Sequence, residues 1–237
     1  MHRFFLPNFQ QPVLLADESR HAMQVMRLKV GDAVGAFDGR GNEAKCVVSA
    51  ISKKSIQLKL LQQTSTPPLR CRIMLAQAVP KKSMDLIVQK ATELGVTTIV
   101  PLLSERTVVR LDEDSGKLER WRGIALESCK QCGNNWLPDI LPPRKPSEFL
   151  AAAGKFDLKL VAALQPDARP LKVILTNVPV VSSVLVLIGP EGDFTPAEYD
   201  LARAAGCLPL SLGSLVLRAE TAALYTLSIL HHELQTT

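Results

Sequence analysis

Between Cys71 and Leu234, short apolar segments rich in branched side chains alternate with longer stretches of helical periodicity, and this alternation constrains the fold more than any other feature of the chain. Strand-like segments run from Cys71 to Gln77, Thr97 to Leu102, Leu158 to Leu164, Val184 to Ile188 and Pro209 to Leu212. Helix-like stretches separate them, from Met84 to Leu94, Leu118 to Ser128, Pro196 to Ala205 and Glu220 to Leu234. Strands joined by crossovers of this length pair in parallel, and a parallel sheet needs helices over both faces. The class is therefore α/β. The punctuation agrees. Ser83 precedes a stripe of Met84, Ile87, Val88 and Ala91 as a cap, and Gly95 ends that helix. Thr195-Pro196-Ala197-Glu198 has capping-box spacing with proline at the first helical position, and Gly206 closes the helix.

The first third reads differently. Ala33 to Phe37, Glu43 to Ala50 and Ser55 to Leu61 are strands, joined by turns at Asp38-Gly39-Arg40-Gly41 and Lys53-Lys54. Ahead of them Asp17 can cap a short helix through Met26, with His21, Val25 and Met26 near helical spacing. The polar, proline-bearing stretch from Gln62 to Pro68 marks a boundary, so we expect a small β-rich, barrel-like domain over 1–69 and an α/β domain over 70–237. The whole chain of 237 residues carries a net charge of +5. Residues 1–69 hold nine Lys and Arg against five Asp and Glu, so nearly all of the excess lies in the small domain. A basic module on a near-neutral body suits a polyanion partner.

Composition excludes several classes. A hydrophobic fraction of 46% with 22% charged residues is that of a globular chain rather than a disordered one. The longest apolar stretch, from Val178 to Ile188, is interrupted by Pro179, Ser182 and Ser183 and is far short of a membrane span. The start, Met1-His2-Arg3-Phe4-Phe5-Leu6-Pro7, builds no signal-peptide core, so a cytoplasmic location with no membrane partner is expected. Five cysteines in such a chain read as reduced thiols. Cys129 and Cys132 have motif spacing but no second pair to complete a zinc site, and no metal is expected.

Open parallel sheets bind ligands beyond the carboxyl ends of their strands, which directs attention to three segments. Ile188-Gly189-Pro190-Glu191-Gly192-Asp193-Phe194 allows close backbone approach of a ligand, but lacks the pattern of a dinucleotide or phosphate loop. Leu212-Gly213-Ser214-Leu215-Val216-Leu217-Arg218-Ala219-Glu220-Thr221 leads into the last helix. There Glu220 suits the helix dipole and Arg218 does not, which points to an external anion, a buried partner or a surface pair with Glu220. Glu127 to Pro138, with Asn134, Asn135 and Trp136, either reads and stacks an unpaired base or is a polar helix end with a packed Trp.

These segments, in this order, resemble the bacterial ribosomal small-subunit methyltransferase E family. The resemblance runs from Arg3-Phe4-Phe5 and His21 through Val25-Met26-Arg27-Leu28-Lys29 and Gly31-Asp32 at the start. It continues through Lys81-Lys82, Met84-Asp85, Gln89-Lys90, Thr92-Glu93-Leu94-Gly95-Val96 and Ser104-Glu105-Arg106. It closes with Glu127-Ser128-Cys129, Gln131, Gly133, Ile188-Gly189-Pro190-Glu191-Gly192, Leu212-Gly213 and Leu217-Arg218 before Glu220-Thr221-Ala222.

The resemblance implies a small N-terminal PUA-like β-barrel and a C-terminal SPOUT α/β domain with a parallel sheet and a deep trefoil knot. It implies S-adenosylmethionine-dependent methylation of N3 of a uridine in 16S ribosomal RNA, with the RNA or the small ribosomal subunit as partner and a homodimer as the working form. The cofactor site it implies comprises Leu164, Gln165, Ile188, Gly189, Glu191, Gly192, Leu212, Gly213, Leu217, Arg218 and Thr221. Attack by a ring nitrogen needs a proton acceptor and a cation, for which Glu127 or Glu220 and Arg106 or Arg218 are the candidates. Arg3, Arg27, Lys29, Arg106, Asn134, Asn135 and Trp136 are the candidate RNA contacts. The chain departs from the family in having Asp193 where glycine is common, no basic residue in Ser214-Leu215-Val216, and Ala219 in place of threonine. Another RNA methyltransferase of the same class, acting on transfer RNA or ribose, and a non-catalytic RNA-binding protein are the alternatives.

Overall fold

The structure is a computed structural model that describes residues 1–109, 116–176, 178 and 180–235, with the backbone alone for residues 15–17. The chain packs into two compact units, Met1–Pro68 with Leu126–Leu137, and Leu69–Ala125 with Pro138–Thr237.

The first unit is built on a five-stranded sheet in the order β1-β3-β4-β5-β2. The strands are β1 (Arg3–Phe5), β2 (Val13–Leu15), β3 (Ala33–Phe37), β4 (Asn42–Ile51) and β5 (Ser55–Ser65). β1 runs parallel to β3, and the other pairs are antiparallel. Side chains alternate across each strand, so Ala44, Cys46 and Val48 of β4 point inward with Ile56 and Leu58 of β5 and join Phe4, Leu14 and Val34 in one core. β5 continues to Ser65, opposite Asn42, through residues that composition alone reads as a linker. Its edge-to-edge ladder with β4 outweighs the polar character of the segment.

Between β2 and β3 lie α1 (Ala16–Arg20) and a single π-helical turn, His21–Val25. Asp17 falls inside α1 rather than ahead of it, and its side chain lies outside what is described. The widened turn also turns the expected apolar face away. Val25 is exposed and Ala22 is the buried residue.

The second unit holds a seven-stranded sheet, ordered β10-β12-β9-β11-β6-β7-β8 and parallel throughout. Its strands are β6 (Arg72–Ala78), β7 (Thr98–Leu102), β8 (Asp139–Ile140), β9 (Leu158–Ala162), β10 (Arg169–Pro170), β11 (Ser183–Ile188) and β12 (Leu208–Ser211). All six residues of β11 are buried, so both faces of the sheet are covered there. The helices are α2 (Met84–Glu93), α3 (Lys117–Cys132), α4 (Pro146–Ala152), α5 (Leu171–Leu175), α6 (Pro196–Ala204) and α7 (Ala219–Gln235). The residues of α3 up to 125 count with the second unit and those from 126 with the first.

The capping box of α6 forms as expected, with Thr195 and Glu198 exchanging hydrogen bonds. Ser83 behaves otherwise. It makes no cap bond to its own helix, because its hydroxyl donates to Glu220 Oε2 at 2.9 Å.

Candidate functional site

A pocket lies within the second unit at the carboxyl ends of β9, β11 and β12, where a parallel sheet of this kind presents its loops. It is a small cleft of about 100 Å³, open to solvent along part of its rim. Three loops and the first turns of α7 form it: Ala162 to Leu164, Ile188 to Asp193, Leu212 to Leu217, and Ala219 with Ala222.

Most of this lining is apolar. Its ionisable members among the described residues are Glu191 and Asp193, and the lining includes no Lys, Arg or His. A wall with acids and no bases repels phosphate and favours a ligand that carries positive charge.

The loop after β11 is held from several sides. Asp193 N–H donates to the Pro190 carbonyl at 2.9 Å, closing a turn that leaves Asp193 at φ +61°. Asp is among the few residues with a side chain that tolerate this left-handed conformation, because its carboxylate bonds locally. Here Oδ1 accepts from Phe194 N–H at 2.8 Å and from the Tyr199 hydroxyl at 2.7 Å. Tyr199 is buried under Phe194, edge to face at 5.9 Å. Burial, with the adjacent Asp193 carboxylate, pushes its phenol well above the usual range, so it stays a neutral donor. A Cβ on Gly189 would come 3.1 Å from Asp193 Oδ1, which explains a glycine there. Outside the pocket, Arg106 donates to the Gly192 carbonyl at 2.6 Å and lays its stem across that glycine.

The residues expected at a cofactor site divide into two groups. Leu164, Ile188, Gly189, Glu191, Leu212, Gly213 and Leu217 line the pocket; Gln165, Gly192, Arg218 and Thr221 sit on the same loops or the following helix without lining it. Pro190, Asp193, Leu215, Val216, Ala219 and Ala222 line it as well and were not expected. Asp193 was visible only as a departure from glycine, and the apolar residues carry no chemical signature.

The candidate catalytic residues each have their own surroundings. Arg218 is exposed, and its guanidinium makes no hydrogen bond or ion pair with a described residue. The alternative of an Arg218–Glu220 surface pair is not formed, since Glu220 accepts from Ser83 instead. Glu191 Oε1 accepts from Lys81 N–H at 2.8 Å. Glu127 belongs to the first unit, where it pairs with Lys130 at 2.7 Å.

The candidate RNA contacts of the first unit also divide. Arg27, at φ +53°, and Lys29 are exposed. Arg3 instead donates to the carbonyls of Cys129, at 2.5 Å, and Asn134, at 3.2 Å, and to Asn135 Oδ1, while its guanidinium stacks 4.0 Å over Phe37. These bonds bring 126–137 into the first unit. Asn135 is buried and donates to Thr66 Oγ1 at 2.8 Å. Asn134 Oδ1 accepts from Trp136 N–H at 2.9 Å. The Trp136 indole packs on Gly41 and donates to the carbonyls of Thr66 and Pro67 at 3.1 and 3.2 Å. Burial pushes the Cys129 thiol up to about 12. No group of three or more potential metal ligands occurs among the described residues, and none of their helices is long and apolar enough to cross a membrane.

Comparison with known proteins adds the family. A model described as an RNA methyltransferase domain matches residues 67–231, and one described as an RNA methyltransferase PUA domain matches 14–61. The chain is 30% identical over 248 residues to ribosomal RNA small subunit methyltransferase E of Bacillus subtilis, covering 98% of this chain and 97% of that one. It is 34% identical over 214 residues to the protein of the same name from Synechocystis, covering 89% of this chain and 69% of that one. Among solved structures, ribosomal RNA small subunit methyltransferase E of Neisseria gonorrhoeae bound to S-adenosyl methionine superposes with a TM-score of 0.89 at 30% identity, covering 99% and 98% of the two chains. A Legionella pneumophila protein in complex with the cofactor SAM superposes equally well, at 0.89 and 31% identity, with coverage of 99% and 98%.

Proposed function

The chain belongs to the ribosomal RNA small subunit methyltransferase E family, and from that premise we propose that it methylates N3 of a uridine in 16S ribosomal RNA with S-adenosylmethionine as methyl donor. The observation that carries this reading is the pocket beyond β9, β11 and β12, walled by apolar side chains and two carboxylates without a base. S-adenosylmethionine fits such a wall, having an adenine to lie on apolar surface and bare glycine backbone, and two cationic centres.

When bound, the cofactor supplies an electrophilic methyl group on a sulfonium. The chain's own residues have to present the uracil in line with that methyl, remove the N3 proton and stabilise the resulting charge. The new bond joins N3 to the methyl carbon, the sulfur–methyl bond breaks with its electrons left on sulfur, and the N3 proton passes to a carboxylate. Arg218 stands between the lining residues Leu217 and Ala219 with its guanidinium uncommitted, and in this reading it stabilises the uracil anion. Glu220, two residues further on and hydrogen-bonded to Ser83, takes the proton. Arg106 acts by bracing Gly192, while Arg27 and Lys29 meet RNA phosphates. Arg3, Asn135 and Trp136 order the first unit's surface through the internal bonds they make. A cytoplasmic homodimer with a trefoil-knotted second domain belongs to the same proposal.

The test is nucleoside analysis of small-subunit RNA incubated with protein and isotopically labelled cofactor. Label in 3-methyluridine is the expected result, and label in a ribose methyl or none at all overturns the reading. Arg218→Ala should abolish transfer with an unchanged circular dichroism spectrum; normal turnover would remove Arg218 from the mechanism.

A further inference from the structure

Asp193 stands in a left-handed turn that glycine would adopt without strain, and it brings to that turn a carboxylate on the pocket wall. Part of that contribution is local. Oδ1 is saturated by Phe194 N–H and the Tyr199 hydroxyl, which fix the carboxylate in one orientation on the pocket wall. The second oxygen, Oδ2, has no hydrogen-bond partner among the described residues. A buried Tyr thus props up a half-buried carboxylate with one oxygen to spare. The other lining acid, Glu191, is exposed and already accepts from Lys81 N–H.

Resting on the cofactor reading above, we propose that Asp193 makes this pocket discriminate the sulfonium cofactor from its thioether product. The two molecules share adenine, ribose, ammonium and carboxylate, and differ by one methyl group and one positive charge at sulfur. A fixed carboxylate set nearer to that charge than to the shared ammonium, across a mostly apolar pocket, favours the cofactor and alters the product's affinity little. The charge disappears as the methyl leaves, so the same carboxylate aids product release.

Asp193→Asn is the informative substitution. Asn tolerates the left-handed turn, and its side-chain oxygen keeps both local bonds while the charge is removed. Calorimetric titration with S-adenosylmethionine and with S-adenosylhomocysteine, for wild type and variant, gives four affinities. The variant should bind the cofactor on the order of tenfold more weakly, the scale of one partly screened charge pair, and bind the product unchanged. Equal loss for both ligands, or loss for neither, overturns the proposal. Should the Asn variant fail to fold, Asp193→Gly relieves the turn and is read by the same ratio. A wild-type protein that binds neither ligand at millimolar concentration overturns the pocket assignment itself, a result distinct from a wild type that binds both and a variant that keeps its preference.

Discussion

Replacing Gly41 by Ala tests whether Trp136 is a structural element of the first unit. Gly41 has φ +95°, and a Cβ there would lie 2.5 and 2.7 Å from two ring carbons of Trp136 and 2.8 Å from the Thr66 carbonyl oxygen. The left-handed backbone alone costs Ala about 1 kcal/mol or somewhat more. Contacts this short cannot be relieved by rotating a flexible chain, since one obstacle is a half-buried indole with two acceptors and the other is backbone, and overpacking of this kind costs roughly 1–3 kcal/mol. The expected loss is therefore about 2–4 kcal/mol, a large share of the 5–15 kcal/mol typical of a domain. Urea denaturation followed by far-UV circular dichroism measures it. The double variant Gly41→Ala/Trp136→Ala isolates the cause. With the indole gone, the cost of the added methyl should fall by about 1 kcal/mol or more, leaving the backbone strain and the Thr66 contact. Additivity of the two substitutions within about 0.5 kcal/mol would refute the reasoning, because it would mean that Trp136 is not what the methyl meets.

Two further predictions concern protonation and thiols. Asp157 sits at about 2 because Ser182, through its hydroxyl and then its N–H, and the Ser183 hydroxyl donate to its carboxylate. A depressed carboxylate stabilises the fold above its ordinary value of 3.8 and loses that contribution as pH falls toward 2. The stability gap between wild type and Asp157→Asn should thus be constant above about pH 5 and shrink between pH 4 and 2; a gap independent of pH would contradict the assignment. Cys132 is exposed, whereas burial raises the thiols of Cys46, Cys71, Cys129 and Cys207, to about 11 for Cys71 and Cys207 and about 12 for Cys129. Iodoacetamide at pH 8 should give a single fast adduct, at Cys132, by peptide mass spectrometry; equal labelling of the buried thiols would contradict the packing.

Much of the second unit was legible because its signals are local. The unbroken apolar run from Val184 to Ile188 in β11 and the capping box at Thr195 each need only a few adjacent residues to declare themselves. What escaped depends on partners far away in the chain. Ser83 caps nothing because Glu220, in a different helix, takes its hydroxyl. Arg3 reads as a surface cation until the carbonyls of Cys129 and Asn134 are placed beside it. β1, β2, β8 and β10 have two or three residues each, too few to show a period, and exist because a neighbouring strand offers them a ladder. The pocket shows the same division. Its glycines and Glu191 stood out as a motif, whereas the meaning of Asp193 depends on Tyr199, which approaches from one turn inside the next helix.

The order of the parallel sheet also sets a timetable. β6 lies between β7 and β11, and its register with β11 joins Arg72 to Ser183, about 110 residues apart. At roughly 5–20 residues per second, a ribosome makes β11 on the order of five to twenty seconds after β6. For that interval one edge of an apolar strand has no native neighbour, and the strand that will bury it is also the one that ends in the pocket loop. The ligand site is therefore among the last parts of the molecule to form, and until it does the nascent chain offers an open edge to chaperones or to another copy of itself.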